Sequence, residues 1–315
     1  MSAQASVLRT ELTLKVVGAS HELRNIWIRA RLIRPDGPVK ALMVCLPGAS
    51  YDRRYYDHCA DQQSGYSFAA HMAKSGIACL ALDHPGMGES SRPDNVGILT
   101  KETVASLHHS AFQAFLVDAV NGKWGPTIGF CPRIGVGHSM GGMVLTQWQA
   151  AYTRFDSCAF LGWTNTGLSF DTSFLPRPDK PAYLPTDRAM MRPIFHLGDV
   201  PAALIDEDDA QASDTPSPLA LQAIEAGIVR DQAGQIKTPV LTVFGDVDIS
   251  PDPFTEPAHF KSSRDVTLLR LEGAAHIHNF AGSRAVLWDR LANWALATRN
   301  TLTSHNPQSK VQSCT

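Results

Sequence analysis

The chain has 315 residues, 44% of them hydrophobic, and 28 lysines plus arginines against 30 aspartates plus glutamates give a formal net charge of −2. That balance excludes the basic footprint of a nucleic-acid or anionic-membrane binder, and the length fits one large α/β domain. No apolar run approaches the ~18 residues of a membrane-spanning helix, and the polar stretch Met1–Thr10 lacks the apolar centre of a signal peptide.

In chain order, Ala41–Leu46 predicts a buried strand that ends at Pro47-Gly48. His71–Ser75 closes a helix with Gly76 as its cap, and Ile77–Leu82 is the next strand, turning at Asp83-His84-Pro85-Gly86-Met87-Gly88. Thr100–Asn121 reads as helix. Arg133–Val136 is a short strand, a helix follows from Met140 to Tyr152, and Cys158–Trp163 is another strand. The rhythm then breaks. From Asn165 to Gly234 there are many prolines, an acidic run at Asp206–Asp209 and no clear strand. A structureless stretch of that length is unexpected inside one domain, so residues 165–234 are read as an inserted helical cap. The acidic run is expected to open one of its helices, where negative charge suits the dipole. Strands resume at Pro239–Phe244 and Val266–Leu271, and Arg284–Arg299 closes the fold as an amphipathic helix with Val286, Leu287, Leu291 and Trp294 on one face. Residues 300–315 read as a flexible tail. Alternation of apolar strands with amphipathic helices predicts an α/β fold, a mostly parallel central sheet flanked by helices, in a single domain over residues 1–315.

The most informative segment is Gly137-His138-Ser139-Met140-Gly141, a Gly-x-Ser-x-Gly set between a strand and a helix. A nucleophile on so sharp a turn needs neighbours with almost no side chain, and Gly137 and Gly141 meet that need. Ser139 is the candidate nucleophile. The Met140 amide stands at a helix N-terminus, where it can stabilise an oxyanion. Dinucleotide binding through Gly135-x-Gly137 is disfavoured, because Met140 occupies the third glycine position of that fingerprint.

Here the chain resembles the α/β-hydrolase superfamily over nearly its whole length. Gly-His-Ser-Met-Gly-Gly is similar to the elbow of its serine esterases and lipases, and Leu82-Asp83-His84-Pro85-Gly86-Met87-Gly88-Glu89-Ser90 to its turn after the fourth strand. The resemblance implies the order nucleophile, acid, base. It points to His276, three residues after Gly273, as base, with His278 the rival. It points to Asp248, in a Gly-x-x-Asp arrangement, as acid, with Asp246 the rival and a turn cap as that residue's alternative role. The second oxyanion amide is expected from Ala49. The family usually has His-Gly where this chain has Pro47-Gly48, which leaves open whether Ser50 assists.

Aromatic residues on the loops facing the elbow, with Tyr51, Trp163, Phe174 and Phe195 foremost and Tyr55, Tyr56, Phe254 and Phe280 beside them, predict a pocket for a small, largely apolar ligand. Arg53 and Arg54 could grip a carboxylate, or form a solvated helix start. Asp246, Asp248, His276 and His278 could be grouped as a metal cluster, but no His-Glu-x-x-His pattern accompanies them, so neither metal nor other cofactor is expected. The expected activity is a serine hydrolase cleaving a carboxylic ester or lactone. The alternatives are the same triad acting on a thioester, an amide, an acyl transfer or a C–C bond, and a non-catalytic small-molecule receptor on the same fold. Of the six cysteines, Cys45, Cys79 and Cys158 lie in apolar strand-like runs as buried free thiols would, and the reading is a reducing, cytoplasmic compartment.

Overall fold

Strands that must be covered on both faces need apolar side chains at every position, and three segments meet that demand. β3 (Ala41–Leu46), β4 (Ile77–Leu82) and β6 (Ser157–Leu161) are buried throughout. The structure is a computed structural model and describes residues 6–16, 23, 25–58, 65–172 and 182–304. Around those strands, β1 (Val7–Lys15), β2 (Trp27–Pro35), β5 (Arg133–His138), β9 (Val240–Val247) and β10 (Val266–Ala275) complete an eight-stranded sheet in the order β1-β2-β4-β3-β5-β6-β9-β10. β1 pairs antiparallel with β2, and β2 antiparallel with β4, while every pair from β4 to β10 is parallel.

Parallel neighbours require crossovers, and helices supply them. α1 (Phe68–Lys74) and α8 (Arg284–Ser304) cover one face, and α2 (Lys101–Val120) and α3 (Met140–Tyr152) the other. The period-two geometry of β3 divides its side chains between them. Leu42, Val44 and Leu46 pack with Phe112, Phe115, Met143 and Trp148. Ala41, Met43 and Cys45 pack with Met72, Leu287 and Leu291. Cys45, Cys79 and Cys158 are free and buried, as their apolar surroundings predict. Between β6 and β9 come β7 (Tyr183–Leu184), α4 (Arg188–Phe195), α5 (Ala202–Asp209), β8 (Thr215–Pro216), α6 (Ser217–Ala223) and α7 (Arg230–Ala233).

β3 and β4 begin and end where the sequence predicts. Other expectations need correction. The antiparallel β1–β2 pair is absent from the sequence reading, although Ile28, Ala30 and Leu32 alternate as a half-buried strand should. The 165–234 segment does contain strand, a two-residue pair between β7 and β8. The acidic run closes α5 instead of opening it. Its charge therefore opposes the dipole, and Arg188 and Arg192, one turn apart on α4, compensate by pairing with Asp208 at 3.0 Å and Asp209 at 2.9 Å. Val286 is 58% exposed, because the buried stripe of α8 runs through Leu287, Leu291 and Ala295 at a four-residue spacing. α8 continues to Ser304, past the expected start of the tail, and residues 305–315 lie outside the described residues. Among the described residues no helix is long and apolar enough to cross a membrane.

Candidate active site

The turn from β5 into α3 holds Ser139 at φ 52° and ψ −124°, a region that residues with side chains rarely occupy. Tight packing enforces it. A Cβ on Gly137 would lie 2.5 Å from the Gly141 carbonyl oxygen, and one on Gly141 would collide with the Leu46 carbonyl. The Ser139 amide is tied to the Leu161 carbonyl at 2.8 Å. Ser139 thus stands on a rigid turn, and the Met140 amide begins α3, where the helix supplies no acceptor for it.

The loop after β3 lies against this turn. Among the described residues the Ala49 amide has no hydrogen-bond partner. The Ser50 amide donates to Thr215 Oγ1 at 3.0 Å, so it is already occupied. Pro47, at the family's histidine position, has its carbonyl 2.9 Å from His84 Nε2, and His84 Nδ1 lies 2.9 Å from His108 Nε2. Burial lowers His84 to about 4 and His108 well below the usual imidazole value, so both are neutral and the loop is held by an uncharged pair.

In the loop after β10, His276 Nδ1 lies 2.7 Å from Oδ1 of Asp248, the residue that follows β9. An ionised carboxylate only accepts, so Nδ1 carries the hydrogen in this bond and Nε2 is turned away from Asp248. His278, fully buried, places Nε2 2.9 Å from the other oxygen, and the amides of Gly245 and Ile249 each donate at 2.8 Å. Burial alone would raise the Asp248 carboxyl, but His276 and His278 outweigh it and hold it well below the usual carboxylate range. Asp246 goes elsewhere. Its Oδ2 accepts from the Gly273 amide at 2.7 Å, across the strand pair. The reason corrects the expected strand end: β9 runs through Gly245 to Val247, so Asp246 is a strand residue and Asp248 is the first residue past the tip. Among the described residues no three His, Cys, Asp or Glu side chains are arranged to hold a metal ion.

Three further residues complete the frame. His278, named above as the rival of His276, bonds Asp248 across 30 residues. His138, inside the elbow itself, lies with Nε2 2.8 Å from the His276 carbonyl. Burial, together with His276 and His278, keeps it well below the usual imidazole value, hence neutral. Gly162, at φ 58°, leaves room for the His276 ring: a Cβ there would stand 2.8 Å from His276 Nδ1. Its place just after the sixth strand was the available signal.

Ser139 and His276 open into one cavity of about 460 Å³, with Ala49 and Met140 also in its wall. Tyr51, Trp163 and Phe195 line it. Phe174 lies outside the described residues. Leu168, Phe170, Met190, Met191, Leu221 and Ile224 of the segment between β6 and β9 make the rest of the wall largely apolar. Tyr55, Tyr56 and Phe280 are core residues instead, and Phe254 is 69% exposed. Arg53 and Arg54 do open a helix, the 3₁₀ turn Arg53–Tyr56, but only Arg54 is partly solvated. Arg53 is buried against Asp83, with Glu11 and Glu89 on its other nitrogens, and Arg54 is paired with Asp52.

The profile of the alpha/beta hydrolase family matches residues 43–288, a span that takes in most of β3, the elbow, the Asp248 loop and the His276 loop. The chain belongs to the alpha/beta hydrolase family. Solved structures carry the same fold at low identity. An esterase from Exiguobacterium antarcticum is 16% identical with a TM-score of 0.65, covering 91% of this chain and 99% of its own. Naproxen esterase from Bacillus subtilis is 14% identical with a TM-score of 0.61, covering 92% and 93%. A bromoperoxidase from Bacillus anthracis is 16% identical with a TM-score of 0.60, covering 91% and 100%. No curated protein sequence matches this hydrolase.

Proposed function

We propose that this hydrolase cleaves a carboxylic ester or lactone of a small, largely apolar substrate through an acyl-enzyme on Ser139. The observation that carries the reading is the joining of Ser139 and His276 in one cavity, with His276 Nδ1 bonded to Asp248. In this mechanism His276 Nε2 takes the Ser139 proton as Oγ attacks the carbonyl carbon, and Asp248 stabilises the imidazolium that forms. The amides of Met140 and Ala49 receive the negative charge on the tetrahedral oxygen. Collapse expels the alcohol, which takes its proton from His276, and a water activated by the same ring releases the acid.

Residues 165–234 act as the cap in this reading. They supply most of the apolar wall, and they exclude water from the oxyanion. The esterase neighbours agree with ester chemistry, and the buried free thiols agree with a reducing, cytoplasmic setting.

The test is fluorophosphonate labelling followed by a panel of p-nitrophenyl esters of rising chain length, run with lactones. Ser139→Ala should abolish labelling and lower kcat by about four to six orders of magnitude with the fold intact. A tenth of the wild-type rate remaining would remove Ser139 from the mechanism. Phe195→Ala should change the ratios among esters more than it changes labelling by a small fluorophosphonate. Equal effects on all of them would assign Phe195 to packing.

A further inference from the structure

We infer that Arg188, the first residue of α4, is a positioning residue for the oxyanion loop, so that the inserted segment governs transition-state stabilisation as well as the shape of the cavity. The chemistry of this inference rests on the serine-hydrolase reading, whereas its geometry does not. Ser50, directly after Ala49, has φ 63°. A residue with a side chain keeps that conformation only where its surroundings hold it.

Every polar group of Ser50 is held, and every partner comes from residues 188–215. Its amide donates to Thr215 Oγ1 at 3.0 Å. Its carbonyl accepts from Arg188 Nη2 at 2.5 Å and from the Ser213 amide at 2.9 Å. Its hydroxyl oxygen accepts from Arg188 Nε at 3.1 Å. One guanidinium therefore grips the residue on both main chain and side chain, a forked contact that an ammonium cannot reproduce.

The guanidinium is itself fixed. Its side chain is 4% exposed, and Nη1 donates to the Asp208 carbonyl at 2.6 Å and to Asp208 Oδ2 at 3.0 Å. Its carbon stands 4.0 Å from the centre of the Tyr51 ring, and the Tyr51 hydroxyl donates to Asp208 at 2.8 Å. Arg188 is outside the cavity wall, so it acts through Ser50 and Tyr51. The opposite end of α4 reaches the base. The Ile194 and Phe195 carbonyls, which the helix leaves without donors, accept from the amides of His276 at 3.0 Å and Ile277 at 3.1 Å. One short helix thus spans the two loops whose separation sets the distance between oxyanion donor and base. If Arg188 merely anchored α4, its loss would lower stability and leave kcat in the folded protein unchanged.

The full chain carrying Arg188→Lys decides between these. Three readouts are taken: hydrogen exchange of the Ser50 and Tyr51 amides, the rate of fluorophosphonate labelling, and kcat and KM on an ester the wild type cleaves. We expect a folded protein whose loop amides exchange about tenfold faster or more. Labelling and kcat should fall about 100-fold, with KM within about twofold, because a misplacement of an ångström is enough for that. Unchanged exchange, or a loss confined to KM, overturns the inference. Should Arg188→Lys not fold, Thr215→Val removes the Ser50 amide's acceptor and leaves the guanidinium in place. The same signature at smaller amplitude supports the inference, and silence overturns it. A wild type that neither labels nor cleaves any ester refutes the serine-hydrolase reading, and the exchange measurement still decides the clamp.

Discussion

Asp248 accepts four hydrogen bonds, from His276, His278 and the amides of Gly245 and Ile249. Its carboxylate is thus immobile, and the His276 ring is aimed by a group with no other orientation open to it. Asp248→Asn presents an amide to two ring nitrogens and fixes the wrong tautomer of His276. The expected loss in kcat is about 10⁴-fold. Asp246→Asn should leave kcat within about twofold and cost about 1 kcal/mol of stability, since Asp246 accepts from the Gly273 amide and pairs with Arg270 at 3.7 Å, and touches neither histidine. Steady-state kinetics and urea midpoints on both variants separate the roles, and a large kcat loss in Asp246→Asn would transfer the acid to that residue. His278 adds a graded case. His278→Phe frees one Asp248 oxygen from its ring donor and should lower kcat about tenfold, whereas His278→Gln, which can still donate, should recover most of it. A phenylalanine variant as active as wild type would show that the two amides suffice to hold Asp248.

At the scale of elements, the sheet positions Ser139, Asp248 and His276, and the segment between β6 and β9 supplies much of the cavity wall. Ser139, Asp248 and His276 all follow strand ends on the same side of the sheet, where parallel α/β architectures collect their loops. The segment between β6 and β9 begins at a buried anchor. Glu256, 1% exposed, accepts from Thr164 Oγ1 at 2.5 Å, the Asn165 amide at 2.8 Å and Ser250 Oγ at 3.1 Å. Glu256→Gln turns a donor toward these donors and should cost about 2 kcal/mol or more. Because the anchor joins the segment to the loop after Asp248, limited proteolysis should also become faster between residues 165 and 234. A variant with an unchanged urea midpoint would mean that the site relaxes around the amide.

For the whole molecule, the consequence of so many buried histidines is acid lability. His84 is lowered to about 4 by burial, and His108 and His138 lie well below the usual value. As pH falls below about 6.5 the unfolded chain protonates these rings and the native state does not, so stability that is full above that pH is lost on acidification. Asp83 and Asp208, both pushed up to about 6 by burial, act in the opposite sense, because the native state binds their protons first. With His196 also lowered to about 4 by burial, the rings outnumber the carboxyls, and stability falls by ~1.4 kcal/mol per pH unit for each excess proton the unfolded chain binds between about pH 6 and 4. Below about 4 the depressed carboxyl of Asp248 adds a further loss, since its stabilisation exists only while the unfolded carboxyl would be ionised. Urea midpoints from pH 7 to 4 measure the slope, and a flat profile would contradict neutral burial of these rings.

What the sequence determined by itself was local. The elbow, the glycines beside Ser139, and the bounds of β3 and β4 depend on residues within a few positions of each other, and sterics and periodicity act over that range. The order Ser139, Asp248, His276 was legible through resemblance. The edge pair β1–β2 had a readable alternation and was still missed, because half-buried edge strands give a weak signal beside continuous apolar runs. Only the tertiary structure decided which carboxylates, amides and rings meet. Asp248 gains His276 and His278 from 28 and 30 residues away, and Ser50 gains Arg188 from 138. Asp206–Asp209 could end a helix instead of beginning one because α4 brings Arg188 and Arg192 to them. Such contacts depend on how strands are ordered and where helices cross. A hydrogen bond constrains distance in space, and the residues that satisfy it carry no mark of it in their own neighbourhoods along the chain.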